Sequence, residues 1–494
     1  MKIKALSSSY RSLQYLADWM QVGTSPIRWA SVKRSQHGSV GYLGKMRITL
    51  LDYIDKRPLV VSYINTFDHL KEALATEPEN SIPTRPRTDT QCLKLFVVED
   101  LSRMVIEMLG TRFGIDPLFF REQIEDSNWQ GVRDPWATLP NLTSNTKRRQ
   151  WFRLLNVRLR YHRTAASFNI AQQQAESWNV RRQPEDDGNH FEHQGGDGAI
   201  VSILRTRTTI WVGNDKACSD APVGIVLVDP TIAEGRALWY DRSNWLPMPA
   251  GDTPNTCSLV QPDFANHIVH MTREYPWYRP HELSDSYDLG RIVLPSLYTV
   301  CAEWNLVTEY IKTRLSQIEL ELQRPRHART IDAALARLDT WRRTVPCMRE
   351  NVKETLDEAL PAAQRLIQPS QANEALDDIT VDFKRVLCTL DTLQGHINRL
   401  SERGNAEMQL AAARESLAES HNLARLTWLA TIFVPLTFVT GLFSMTDDLG
   451  AILGTVRVYF SAAIPVAIGS LVVARWGSNV YRKMGRWIEH LTRM

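Results

Sequence analysis

The sequence predicts an α+β cytosolic domain followed by a long stalk helix and two C-terminal transmembrane helices. Three observations carry that expectation. Strand-like runs and a helical stretch fill the first half, a heptad series of apolar residues follows, and two uncharged runs, Leu426 to Met445 and Val458 to Ala474, come near the end.

The first segment, residues 1–285, reads as the cytosolic domain. Its start, MKIKALSSSYRSLQYLADWM, is basic and Ser-rich without an apolar h-region, so it is not a secretory signal, although it leaves a transit peptide open. Strand-like runs occupy Leu93 to Val98, Leu154 to Tyr161, Ile200 to Val212 and Val223 to Val228, with a helical stretch from Asp100 to Arg112. Between them Gln183 to Gly198, QPEDDGNHFEHQGGDG, is polar and glycine-rich and reads as a mobile loop.

Residues 286–369 read as accessory helices. Ser286 to Arg324 places Trp304, Val307, Ile311, Leu315, Ile318 and Leu322 on one face, and Arg329 to Ile367 follows, kinked or split by Pro346 and Pro361. The stalk, residues 370–425, carries Ile379, Phe383, Val386, Leu390, Leu393, Ile397 and Leu400 at alternating steps of four and three. No proline interrupts Ser370 to Val434, so one helix can run from Leu376 through the membrane to Met445, a rod of roughly 100 Å at 1.5 Å per residue. Periodicity alone fits an antiparallel coiled-coil hairpin equally well. Beyond Leu400 the stripe weakens into Gly404, Met408, Ala411 and Ala418.

The first span, residues 426–445, has the length a bilayer core demands; an outer loop, 446–457, leads to a shorter second span, 458–474, and a basic tail, 475–494. Arg475, Arg482, Lys483, Arg486 and Arg493 follow the second span, Arg414 and Arg425 precede the first, and the loop holds only Arg457. The basic excess puts both termini in the cytosol or its equivalent, in a multi-pass protein of the plasma membrane, with the mitochondrial inner membrane as the alternative.

Composition excludes several functions. With 58 basic against 55 acidic residues there is no global field to recruit nucleic acid. The six cysteines, Cys92, Cys218, Cys257, Cys301, Cys347 and Cys388, contain no CxxC pair and suggest neither a disulfide framework nor a zinc ribbon. His190, Glu192 and His193 lack the spacing of a helical zinc site, so no cytosolic metal site is assigned. Without a nucleophile elbow or a phosphate-cradling glycine loop, no enzymatic chemistry and no cofactor is expected.

The first span is the informative element. Steps of three and four from Ser420 place Leu423, Thr427, Ala430, Val434, Thr437, Gly441 and Ser444 on one face, small or hydroxylated for long stretches. The opposite face carries Trp428, Leu429, Ile432, Phe433, Leu436, Phe438 and Phe443, suited to lipid or a neighbouring helix. A stripe of this kind means close helix packing or a pore lined by several subunits. Pro435 also leaves the Thr431 carbonyl without its helical partner, which bends the span or exposes that oxygen.

The run LTWLATIFVPLTFVTGLFSMTDD, Leu426 to Asp448, resembles the first transmembrane helix of the CorA family of divalent-cation channels. LKLFVVEDLSRMVIEMLGTRFGIDPLFF, Leu93 to Phe120, resembles the extended cytosolic domain of fungal CorA-like proteins, more weakly. The resemblance implies a homopentamer: a cytosolic funnel, accessory helices, and a stalk continuing into the pore. The pore face it implies comprises Ser420, Leu423, Leu426 or Thr427, Ala430, Val434, Thr437, Gly441 and Ser444, with Leu423, Leu426 and Val434 as apolar constrictions able to gate by dewetting.

Where that family has Gly-Met-Asn at the outer mouth, this chain has Ser444, Met445 and Thr446, a degenerate signature that keeps only the methionine. A threonine hydroxyl and carbonyl still accept from ion-bound water, with shorter reach than asparagine. Asp447 and Asp448, repeated around a five-fold axis, form an attracting ring. The resemblance thus implies transport of a hydrated divalent cation, magnesium first and zinc as a lesser alternative. A scaffold or sensor that has lost conduction is the other reading. Asp377, Asp378 and Asp382 are merely near the family's regulatory carboxylates, and that site is not carried over.

Overall fold

The computed structural model describes residues 2–22, 46–54, 59–75, 92–125, 142–188, 198–216, 220–239, 241–245, 263–275, 288–323, 328–367, 373–443, 457–470 and 472. The chain divides into two compact units: Met1–Pro325 with Asp332–Glu402, and Arg326–Ile331 with Arg403–Met494.

In chain order the elements are α1 (Lys2–Ser9), α2 (Gln14–Val22), β1 (Arg47–Ile54), β2 (Val60–Ile64), α3 (Phe67–Leu74), β3 (Cys92–Glu99), α4 (Arg103–Phe113), α5 (Pro117–Ile124), β4 (Trp151–His162), α6 (Ala165–Glu176), β5 (Pro184–Asp186), β6 (Ile200–Asp215), β7 (Ala221–Val228) and β8 (Arg236–Ala237). These are followed by α7 (Phe264–Arg273), α8 (Gly290–Gln323), α9 (Ala328–Glu354), α10 (Leu360–Ile367) and α11 (Asn373–Phe443).

The first unit is built on an eight-stranded sheet ordered β2-β1-β3-β7-β6-β4-β8, with β5 paired to β6. Its centre is the parallel pair β3 and β7, flanked by antiparallel neighbours. Both central strands are near-continuous apolar runs because each is covered on two faces. On one face α1 to α5 pack a core that includes Leu16, Trp19, Phe96, Val98, Leu109, Phe119 and Ile225. The basic, Ser-rich start is therefore folded into this layer, with Leu16 and Trp19 buried and the Tyr15 hydroxyl donating to the Ile124 carbonyl at 3.2 Å.

The pleat turns Leu95 and Val97 to the other face, where α7 lies against β3 and α8 against β4, β6 and β7. That approach is close. A Cβ on Gly224 of β7 would stand 2.5 Å from the Ile292 side chain of α8.

Local sequence explains the boundaries. Gly114 ends α4 in the left-handed conformation at φ 64°, and Asp116 then caps α5 through Leu118 N–H at 2.9 Å, with Pro117 at its first position. Strands β1 and β2 lay unread in the sequence, because polar residues interrupt RITLLDYIDKRPLVVSYI and mask its alternation. The segment expected to be a mobile loop is ordered at its start. Pro184–Asp186 joins the sheet against β6, and Asp187, buried, accepts from the Tyr310 hydroxyl of α8. His190, Glu192 and His193 lie outside the described residues.

The heptad stripe lies within one continuous helix, α11, of 71 residues. Ile379, Phe383, Val386, Leu390, Leu393, Ile397 and Leu400 are all buried. Polar side-chain contacts join these helices: His396 of α11 meets Glu319 of α8 at 3.3 Å, Arg349 of α9 pairs with Asp391 of α11, and Arg337 of α9 pairs with Glu321 of α8. Pro346 stays inside α9, whereas ahead of Pro361 the helix widens into a π-turn, Thr355–Ala359. A wider turn accommodates the proline's missing donor without ending the helix.

Candidate functional site

Hydrophobicity and periodicity single out the last part of α11, the one helix among the described residues long and apolar enough to cross a membrane. Packing of the stripe stops at Gly404, which is buried; Met408 and Ala418 beyond it are exposed. From there the side chains fall into two classes.

One class is covered by the helical residues 457–470. Val439 and Ala463 are buried, the Ser470 hydroxyl donates to the Thr431 carbonyl at 3.2 Å, and Thr440 Oγ lies 3.0 Å from the Tyr459 hydroxyl. Thr431 near Ser470 and Thr440 near Tyr459 make the two segments antiparallel. Ile432, Pro435 and Leu436 are partly buried on the same side.

The other class is uncovered. Ser420, Leu423, Leu426, Thr427, Ala430, Val434, Thr437 and Gly441 are exposed, Val434 at 66%, and a Cβ on Gly441 would meet nothing within 4 Å. At 100° per residue Val439 stands about 140–180° around the helix from Ala430, Val434 and Thr437. The small and hydroxylated face therefore points away from the second apolar segment. Of the bulky residues, Phe433 and Phe438 flank that face and are exposed, while Ile432 and Leu436 turn toward residues 457–470.

Hydroxyl chemistry along this face has one direction. Thr427 donates to the Leu423 carbonyl at 2.8 Å, and Thr437 donates to the Phe433 carbonyl one turn back. Each proton is used inside the helix, so what each hydroxyl offers outward is an acceptor oxygen. Acceptors suit the waters around a cation, whose protons point away from the ion.

Ser444, Met445, Thr446, Asp447 and Asp448 lie outside the described residues. Sequence reasoning did not reach Ser470 and Tyr459. Each is one of a few scattered hydroxyls in a mostly apolar run, with no periodic partner to mark it.

The first unit offers a second candidate. A cleft of about 180 Å³ is lined by Asn156, Arg182, Arg207 and Met348 among others. Its arginines are already engaged. Arg182 pairs with Asp229 at 2.7 Å and donates to the Gln123 carbonyl at 2.6 Å, and Arg207 reaches Glu125 at 3.1 Å and the Glu122 carbonyl at 2.8 Å. They neutralise the carbonyl end of α5 and complete the core. Burial drives the Arg207 value down, opposed by Glu125, while the Glu125 carboxyl is held below its ordinary value by Arg207 and Arg153 despite burial that pushes it up. At the end of the central strand β3, burial and the neighbouring Asp263 push Glu99 up to about 7, against the pull of Arg47 at 2.7 Å. No group of three or more metal-ligating side chains occurs among the described residues, and Asp382 lies 3.9 Å from Arg385.

Comparison with known proteins places a family domain over this region: the model described as CorA-like Mg2+ transporter protein matches residues 269–474. No curated protein matches the chain. Among solved structures, the complete structure of the CorA magnesium transporter from Methanocaldococcus jannaschii aligns with a TM-score of 0.40 at 10% identity, covering 87% of this chain and 97% of that one. The full-length CmaX protein aligns with a TM-score of 0.34 at 11% identity, covering 86% and 98%.

Proposed function

We propose that this chain forms a homopentameric channel in the lipid bilayer that passes a hydrated divalent cation, magnesium, down its electrochemical gradient without covalent chemistry. The observation that carries this reading is the CorA-like Mg2+ transporter match across residues 269–474, which takes in α8 to α11 and the second apolar segment. The uncovered face of α11 supports it. Five copies arranged with Leu423, Thr427, Ala430, Val434, Thr437 and Gly441 inward enclose a path whose threonines accept from ion-bound water. Leu423, Leu426 and Val434 are then apolar rings that a column of water crosses or vacates.

In this reading Ser444, Met445 and Thr446 form the outer mouth, and Asp447 with Asp448 raises the local cation concentration. Magnesium holds its waters tightly, so recognition through the hydration shell needs acceptors rather than direct ligands. The degenerate signature favours a second reading, a membrane scaffold or sensor with the same architecture and no conduction.

Divalent flux into liposomes containing the purified full-length protein separates the two. Conduction predicts magnesium entry under a gradient, lowered by Asp447→Asn with Asp448→Asn and raised or made more selective by Thr446→Asn. Intact pentamers with no flux for any divalent cation would establish the scaffold.

A further inference from the structure

A proline inside a membrane helix creates a debt that some other group must settle. Pro435 has no N–H, so the carbonyl of Thr431, four residues earlier, loses its helical partner. In hydrocarbon no water replaces that bond, and an unpaired carbonyl is costly. The structure supplies the replacement from the other apolar segment: Ser470 Oγ lies 3.2 Å from the Thr431 oxygen.

The same hydroxyl is also 2.9 Å from the Ala467 carbonyl of its own helix. One hydroxyl proton serves two acceptors, either shared or handed from one to the other. Nearer the outer loop a second polar contact joins the segments. Thr440 already donates to the Leu436 carbonyl at 2.8 Å, so at 3.0 Å it accepts from the Tyr459 hydroxyl. Between the two contacts Val439 and Ala463 are buried. The clasp thus closes on the side of α11 that faces away from Val434 and Thr437.

We propose that Ser470 is a positioning residue: its hydroxyl takes over the hydrogen bond that Pro435 removes from the Thr431 carbonyl, holding the backbone turn that sets Val434 and Thr437. The proposal rests on the channel reading for its consequence in flux, and on geometry alone for the clasp. In the channel reading Ser470 lies against the covered side of α11 and does not line the conduit. When the O–H turns to the Ala467 carbonyl instead, the Thr431 carbonyl is left without that donor and the proline turn is less constrained.

The prediction is a coupling between two positions. In Pro435→Ala the backbone N–H returns and Thr431 recovers its own partner, so Ser470 becomes dispensable. For the full-length protein in detergent, Ser470→Ala is expected to lower the unfolding midpoint by about 2–4 °C in the otherwise unchanged chain. In the Pro435→Ala background the same change is expected to have no effect. Liposome flux should shift about threefold or more with Ser470→Ala, again only when Pro435 is present, and Ser470→Thr should restore both readouts. An equal effect of Ser470→Ala in both backgrounds, or none in either, overturns the clasp. Should Pro435→Ala fail to accumulate, Ser470→Thr and Ser470→Val, matched in volume and differing in one hydroxyl, decide the matter: equal midpoints overturn it. Coupled midpoints without flux in any variant would leave the clasp standing and remove the channel, whereas flux with uncoupled midpoints would do the reverse.

Discussion

Two parts of the same helix obey different rules. From Asn373 to Leu400 α11 buries a heptad stripe against α8 and α9, with Phe383, Leu390 and Ile397 wholly removed from solvent. From Met408 to Gly441 it carries large apolar side chains that nothing among the described residues covers, Leu423, Leu426 and Val434 each above 60% exposed. The backbone is the same α-helix throughout. In the first part apolar surface is matched by partners in the same chain, and in the second it stays uncovered among the described residues, where the proposed function would place lipid or other copies. An exposed apolar stripe of that length is therefore a statement about environment, not a defect of packing.

Four experiments sharpen or break this contrast, beginning with the largest effect. Leu390→Ala removes a fully buried side chain from the stripe and should cost about 2–5 kcal/mol of stability, read as a lowered denaturation midpoint of the full-length protein in detergent. A midpoint unchanged by that substitution would mean the stripe is not a core.

Val434→Asn tests the other part. On a water-lined face the substitution removes an apolar constriction, and magnesium flux should rise severalfold with normal membrane insertion. On a lipid-facing surface the same residue should impair insertion and leave residual flux unaltered, which would place the conduit elsewhere.

Glu99 offers a pH-dependent probe of the sheet beneath the helices. Its folded value, near 7, exceeds its unfolded value, so the native state holds the proton more tightly. Stability is then greatest below the ordinary carboxylate range and declines as pH rises toward 7. Glu99→Gln should flatten that slope and raise the midpoint at pH 8; a steeper slope in the variant would reverse the assignment. The smallest effect belongs to Arg349→Ala. Its pair with Asp391 is half-exposed on both sides, and losing it should cost about 1 kcal/mol or less, falling further in high salt.

Much of the architecture was legible in local pattern. The four strands read from Leu93 onward all form, each within a few residues of its expected ends: β3 and β7 are near-continuous apolar runs, and β4 and β6 are rich in apolar and β-branched residues interleaved with arginines. Gly290–Gln323 was likewise plain from one apolar face, and Trp304, Ile311, Leu315, Ile318 and Leu322 are buried as that face required. Less legible were elements whose signal is not periodic. Strands β1 and β2 hide in an interrupted alternation, and Pro184–Asp186 is held by pairing with β6 rather than by its own residues. Pro361 announced a break, yet whether it would be a kink, a split or a π-turn depended on what lay around it.

By itself the sequence determined that the stripe at Ile379 to Leu400 is helical, that the run from Leu426 is compatible with lipid, and that Thr431 must lose a hydrogen bond to Pro435. Those are consequences of side-chain spacing and of covalent structure, which no partner can alter. Only the tertiary structure decided which side of α11 meets residues 457–470, and that Ser470 reaches the oxygen left by the proline. The reason is that a helix presents every side to its surroundings, and contact between segments far apart in sequence is chosen by shape and hydrogen-bond demand at the point where they touch.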